Sequence, residues 1–107
     1  MIDIMAAICL VQLNKLPKHL KIRRAVQSAY NTRLTGYVEP PHYSDTVQYY
    51  CGRVSPEHRN QLIAYLSTKS IHTSVHFKPL HMHPILKQNR EFPVADTEWK
   101  KLISLPC

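Results

Sequence analysis

Eight prolines stand against two glycines in this chain of 107 residues, and their positions limit what it can build. A proline ring fixes φ and removes a backbone donor, so helices and inner strands are broken or entered there. Pro17, Pro40, Pro41, Pro56, Pro79, Pro84, Pro93 and Pro106 divide the sequence into short pieces. Each piece can be read by its own apolar period.

From Ile4 to Leu16, the residues Ile4, Ala7, Ile8 and Val11 recur at three-and-four spacing, which predicts a helix. Asp3 can cap its first turn and Pro17 ends it or opens the next element. A second helix is expected from Lys18 to about Leu34, on Leu20, Ile22, Ala25, Val26, Ala29, Tyr30 and Leu34, with Gly36 as its stop. Tyr37 to Ser44 carries Pro40 and Pro41 and should be an extended loop. Thr46 to Val54 is rich in β-branched and aromatic residues and reads as a strand. Ser55 and Pro56 have the chemistry of an N-cap and a first helical residue, opening a helix to about Lys69. Ile71 to Phe77 alternates and predicts a strand, with Ile71, Thr73, Val75 and Phe77 facing helices and His72, Ser74 and His76 opposite. A short helix over Val94 to Lys101 and an extended end, Ile103 to Pro106, complete the series. The expected fold class is α+β: one small domain in which helices pack on a small sheet.

Charge narrows the partners. Fourteen Lys and Arg outweigh seven Asp and Glu, a formal net charge of +7. Lys15, Lys18, Lys21, Arg23, Arg24 and Arg33 form a run with no acid among them. Such a surplus favours anions such as a phosphorylated small molecule, an acidic membrane surface or nucleic acid. No basic-and-aromatic interleaving accompanies the run, which argues against dedicated nucleic-acid binding and for a solvated helix face. The longest apolar run, Met5 to Val11, is too short to span a bilayer. Cys9, Cys51 and Cys107 are odd in number and widely spaced, which fits a reducing cytoplasm better than a disulfide framework.

Chemistry-bearing residues are sparse. Four histidines, His72, His76, His81 and His83, crowd one segment. On a strand His72 and His76 would lie roughly 13 Å apart and could not share a metal ion. The milder reading puts His76 and His81 at a proline-containing turn, where an imidazole can bind a phosphate or carbonyl or simply pack. The sequence holds no glycine-rich phosphate loop, serine elbow or close carboxylate pair. Asp45, Glu57 and Arg59 read as solvated or capping residues, and Trp99 as core.

Three stretches, in order, resemble the DegT/DnrJ/StrS family of sugar aminotransferases. Met1 to Leu13 is similar to the family's M-x-D-I-x-A-A-I-G-x-x-Q-L helix, with Cys9 in place of the glycine. Arg59 to Phe77 resembles R-x-x-L-x-x-x-L followed by I-x-T-x-x-H-[YF]. Lys78 to His81, Phe92 to Asp96 and Ser104 to Pro106 match the P-L-H, F-P-x-A-[ED] and S-L-P signatures.

The resemblance implies the C-terminal small domain of a fold-type I enzyme dependent on pyridoxal phosphate. Its reaction would move an amino group from glutamate to a keto group of a nucleotide-linked sugar, in amino-sugar or cell-surface polysaccharide biosynthesis. The family's cofactor lysine and the acid that pairs with the pyridine nitrogen lie before the first matched motif. The expectation is therefore residues 1–35 as a helical link to a large domain, and 36–107 as the small domain, cut short at its C-terminal end. It carries no catalytic residue and no metal ligand of its own, and binds no cofactor alone. The resemblance places His76, Phe77 and His81 near the substrate. It also implies a homodimer when complete, in the cytoplasm, with neither nucleic acid nor membrane as partner. The alternative is a non-enzymatic basic module that binds anions or another protein.

Overall fold

Residues Asp3–Arg33 form one continuous helix, α1, in the computed structural model, which describes residues 2–41, 48–87 and 90–107. The two helices expected on either side of Pro17 are thus a single one. Proline at position 17 lacks only its own bond to the Leu13 carbonyl, and the turns on both sides keep theirs. At its start Ile2 is the N-cap and Asp3 already lies in the first turn, where its charge complements the helix dipole rather than capping it. Leu34 is the C-cap, and Gly36 follows at φ +84°, a conformation glycine adopts freely. By helical rise 31 residues span about 46 Å, which accounts for the longest dimension of the molecule, 46 Å.

No residue of α1 is buried. Ile4, Ile8 and Val11 project from one face of its first half and Leu13 and Leu16 from another, all of them exposed. Near the C-terminal end of α1, Tyr30 and the C-cap Leu34 pack against the core, and Asn31 accepts a hydrogen bond from Tyr50.

Among the described residues the sheet has two antiparallel strands, β1 (Tyr50–Arg53) and β2 (Leu102–Leu105), with Tyr50 opposite Leu105 and Arg53 opposite Leu102. Between them run α2 (Pro56–Thr68), two short 3-10 turns at Leu80–Met82 and Pro84–Leu86, and α3 (Pro93–Lys101). Tyr50 and Ile103 are fully buried and form the core with Val38, Val54 and Leu105; Leu62, Ile63 and Leu66 of α2 pack on it. Gly52 lies under the chain at Val38, where a Cβ would collide with the Val38 side chain and sit 3.1 Å from the Glu39 carbonyl. That close approach lets Glu39 bridge to Arg53 and extend the sheet by one rung.

α2 begins where its residue types demand, with Ser55 as N-cap and Pro56 at the first helical position. The Ser55 hydroxyl bonds the Glu57 carboxylate instead of a backbone N–H. Strand β1 is shorter than expected: Gln48 and Tyr49 precede it, Val54 follows it, and Thr46 and Val47 lie outside the described residues. So do Asp45 and residues 42–44 of the expected Tyr37–Ser44 loop.

The larger departure is at Ile71–Phe77, which is not a strand. Only Ser74 pairs, with both its backbone groups, to Ser104 at 3.1 and 2.7 Å. β2 is four residues long and gives one edge to β1; on the other edge only the Ser74–Ser104 rung forms. The alternation therefore has no sheet to obey. Phe77 is 69% exposed rather than packed under helices.

Candidate functional site

The Ser74–Ser104 rung delivers His76 to the edge of the sheet. Cys51 stands opposite Ser104 in the register, and its thiol donates weakly to the His76 carbonyl at 3.9 Å. The His76 imidazole stacks on Tyr49, with centroids 4.4 Å apart and planes 22° apart, and meets the Phe77 ring edge-on at 4.7 Å. Its Nδ1 lies 2.8 Å from Ser104 Oγ. The peptide between His76 and Phe77 is cis.

His81 is held by a second, separate clamp. Its ring stacks on Phe92 at 4.6 Å, and its Nε2 lies 2.7 Å from Asp96 Oδ1. Asp96 reaches it from the first turn of α3, and Arg90 lies over the far ring at 5.3 Å. Pro79, Leu80, His81, Leu86, Phe92 and Ala95 line a cavity of about 390 Å³. No hydrogen bond joins the two histidines. His72 and His83 are exposed and enter neither clamp. Among the described residues no three His, Cys, Asp or Glu side chains gather as a metal site would require.

Reasoning from the sequence singled out His76, Phe77 and His81 but not the residues that grip the two imidazoles. Asp96 and Ser104 stood in quoted motifs, F-P-x-A-[ED] and S-L-P, so a signal for them existed. For Tyr49 there was none, because its contact spans 27 positions and depends on how the chain folds back.

Charge is organised behind the sheet. Glu98 on α3 accepts from Arg53 Nε at 2.8 Å and from Lys101 Nζ at 2.8 Å, while Glu39 stands 3.7 Å from Arg53. The hydrogen bond from Lys101, then that from Arg53, hold the Glu98 carboxyl below its ordinary range. Arg59, expected at the surface, is 8% exposed, with its guanidinium 5.2 Å above the Trp99 ring. Contact between α2 and α3 sandwiches it there.

The whole chain, residues 1–107, matches the sequence model of the DegT/DnrJ/EryC1/StrS aminotransferase family. The chain belongs to that family. Among curated relatives, the family member from Saccharopolyspora spinosa named dTDP-4-dehydro-2,3,6-trideoxy-D-glucose 4-aminotransferase is 31% identical over 97% of this chain and 29% of its own. The spore coat polysaccharide biosynthesis protein SpsC of Bacillus subtilis is 30% identical over 99% of this chain and 31% of its own. In three dimensions the chain superposes on Spr1654 of Streptococcus pneumoniae, described as a sugar aminotransferase and solved in apo, PLP and PMP forms. That match has a TM-score of 0.85 and 33% identity over 99% of this chain and 30% of the other. The chain thus spans about 30% of the length of the family members it matches.

Pyridoxal phosphate is bound in one of those solved neighbours, which makes the lysines of this family member the relevant residues to test. Every described lysine but one is exposed. The exception, Lys101, is half-buried with its ammonium bound to Glu98. No amine here has the sheltered, unpaired setting that covalent capture of an aldehyde needs. The described lysines do not fit covalent capture of the cofactor, and no step through it is assigned to them. No helix among the described residues is long and apolar enough to cross a membrane.

Proposed function

We propose that this chain forms the small-domain part of a sugar aminotransferase that uses pyridoxal phosphate, with residues 1–35 as a helical link and 36–107 closing over the substrate. The reaction is transfer of an amino group from glutamate to a keto group of a nucleotide-linked sugar, in amino-sugar or polysaccharide biosynthesis in the cytoplasm. Alone, the chain does not transaminate. The complete enzyme works as a homodimer.

The observation that carries this reading is the match of all 107 residues to one aminotransferase family, joined to the 0.85 superposition on Spr1654. His76, Phe77 and His81 are its substrate contacts. In support, both imidazoles are clamped by aromatic rings and fixed by one hydrogen bond each, so little side-chain freedom is lost when a ligand binds. Phe77 beside them is apolar and open, as a surface for a sugar or base ring would be.

A chimera tests it. Residues 1–107 replace the corresponding segment of Spr1654, and amino transfer from glutamate to a nucleotide-linked keto sugar is followed. A chimera that turns over, beside an isolated chain that does not, is the expected result. A folded chimera that binds the cofactor but transfers nothing to the sugar would overturn the reading.

A further inference from the structure

Ser104 is 4% exposed, and its hydroxyl has a single partner, His76 Nδ1 at 2.8 Å. Its backbone N–H and C=O are already spent on Ser74. Two proton arrangements fit the distance. If Nδ1–H donates to Oγ, the serine proton is left in a buried place with no acceptor, and an unmade hydrogen bond there is costly. If the hydroxyl donates to Nδ1, the serine proton is used, only an oxygen lone pair is left over in the buried place, and the ring proton sits on the outer nitrogen. The second arrangement wins.

The neutral ring then carries its proton on Nε2. That nitrogen has no hydrogen-bond partner in the described protein and is not sealed from solvent. A half-turn of the ring would put carbon against Ser104 and forfeit the bond, and the Tyr49 face and Phe77 edge restrict any smaller swing.

We propose that Ser104 is a positioning residue that holds neutral His76 in its Nε2–H form, so that the ring offers a hydrogen-bond donor rather than a base to an oxygen of the substrate's diphosphate. The second clause rests on the substrate reading of His76 given above. The first stands on the geometry alone. A donor aimed at an anionic oxygen suits binding and orientation of a nucleotide-linked sugar, and it assigns proton abstraction to some other group.

The test reads the two clauses apart. Long-range ¹H–¹⁵N NMR of the labelled 107-residue chain, at alkaline pH, reports which ring nitrogen of His76 is protonated. Nε2 should carry the proton in the natural chain and in Ser104→Thr, which keeps the hydroxyl. In Ser104→Ala the Nε2–H fraction should fall to that of an unconstrained histidine side chain, which favours Nε2–H only modestly. A natural chain in the Nδ1–H form, or an alanine variant with an unchanged ratio, overturns the positioning role. Should the alanine variant fail to fold, the natural chain and the threonine variant decide. In the Spr1654 chimera, Ser104→Ala should raise KM for the nucleotide-linked sugar severalfold and leave the glutamate half-reaction unchanged. Equal losses in both half-reactions, or none, overturn the substrate clause while leaving the tautomer result to judge Ser104.

Discussion

The Tyr50 ring on β1 lies 5.0 Å from the Tyr30 ring on α1, tilted by 50°, and this pair ties the long helix to the sheet. Tyr50 donates its hydroxyl to Asn31 Oδ1 at 2.9 Å, and Tyr30 donates to the Pro106 carbonyl at 2.8 Å. Burial raises the Tyr30 phenol above its ordinary value, with a smaller push from Cys107. Removing a buried aromatic ring costs about 3–5 kcal/mol, so Tyr50→Ala should unfold at far lower urea than the natural chain. Tyr30→Phe loses one partly exposed hydrogen bond and should cost at most about 1 kcal/mol. Urea melts of both variants check the order.

Acid should loosen the contact between α3 and β1. The Glu98 carboxyl is held below its ordinary value of 4.5 by Lys101 and Arg53. Its contribution is therefore complete above that value and lost as pH falls below it. Glu57, lowered by the Ser55 hydroxyl, acts in the same direction. Midpoints of thermal unfolding should decline from about pH 5 downward, and Glu98→Gln should make that decline shallower without abolishing it. An unchanged slope in Glu98→Gln would show that the Arg53–Glu98–Lys101 network contributes nothing to the folded state.

Self-association should follow from the first half of α1. A helix that is apolar on more than one face is ordinarily covered on more than one side, yet Ile4 is 71% exposed and Leu13 62%. Exposed apolar surface of this kind drives association. Sedimentation of the isolated chain should show mass rising with concentration. Replacing Ile4, Ile8 and Val11 together by Gln should weaken the rise while leaving the helical circular dichroism in place.

Arg59 should be replaceable by a residue of its own shape without its charge. Its Nε is buried with no hydrogen-bond partner, and so is Trp99 Nε1. What the guanidinium gains over the Trp99 ring is about 0.5–2 kcal/mol, set against the cost of removing a charge from water. Arg59→Met should be neutral or stabilising. Trp99→Leu, which strips the ring from beneath a buried cation, should destabilise by about 2–3 kcal/mol. Chemical denaturation of the two variants measures the difference.

The substrate contacts are open to kinetics in the Spr1654 chimera. His76→Ala and His81→Ala, made singly, should each lower kcat/KM for the nucleotide-linked sugar at least tenfold, about 1.4 kcal/mol, with the glutamate half-reaction spared. Unchanged sugar kinetics in folded variants would reduce both imidazoles to structural ties, Ser104 and Asp96 being their partners.

Local chemistry alone determined much of this protein. Ser55 and Pro56 opened α2, Gly36 closed the turn after α1, and a helix over Val94 to Lys101 and an extended end over Ile103 to Pro106 were legible within one residue of α3 (Pro93–Lys101) and β2 (Leu102–Leu105), because each depends on bonds within a few residues. The ordered motifs from Met1 to Pro106 marked the family for the same reason, being written in the chain itself. Tertiary structure decided the rest. Pro17 was readable as a break, but the loss of one bond is too small to part a helix supported on both sides. Ile71 to Phe77 had the alternation of a strand, but a strand also needs a partner along its length, and it meets β2 (Leu102–Leu105) only at the Ser74–Ser104 rung. Arg59 resembled a surface residue until Trp99 of a different helix came beneath it. The grip of Tyr49 and Ser104 on His76 belongs to this second group. It joins positions 27 and 28 residues apart, and no local preference of the backbone encodes such a meeting; only the packing of the folded chain does.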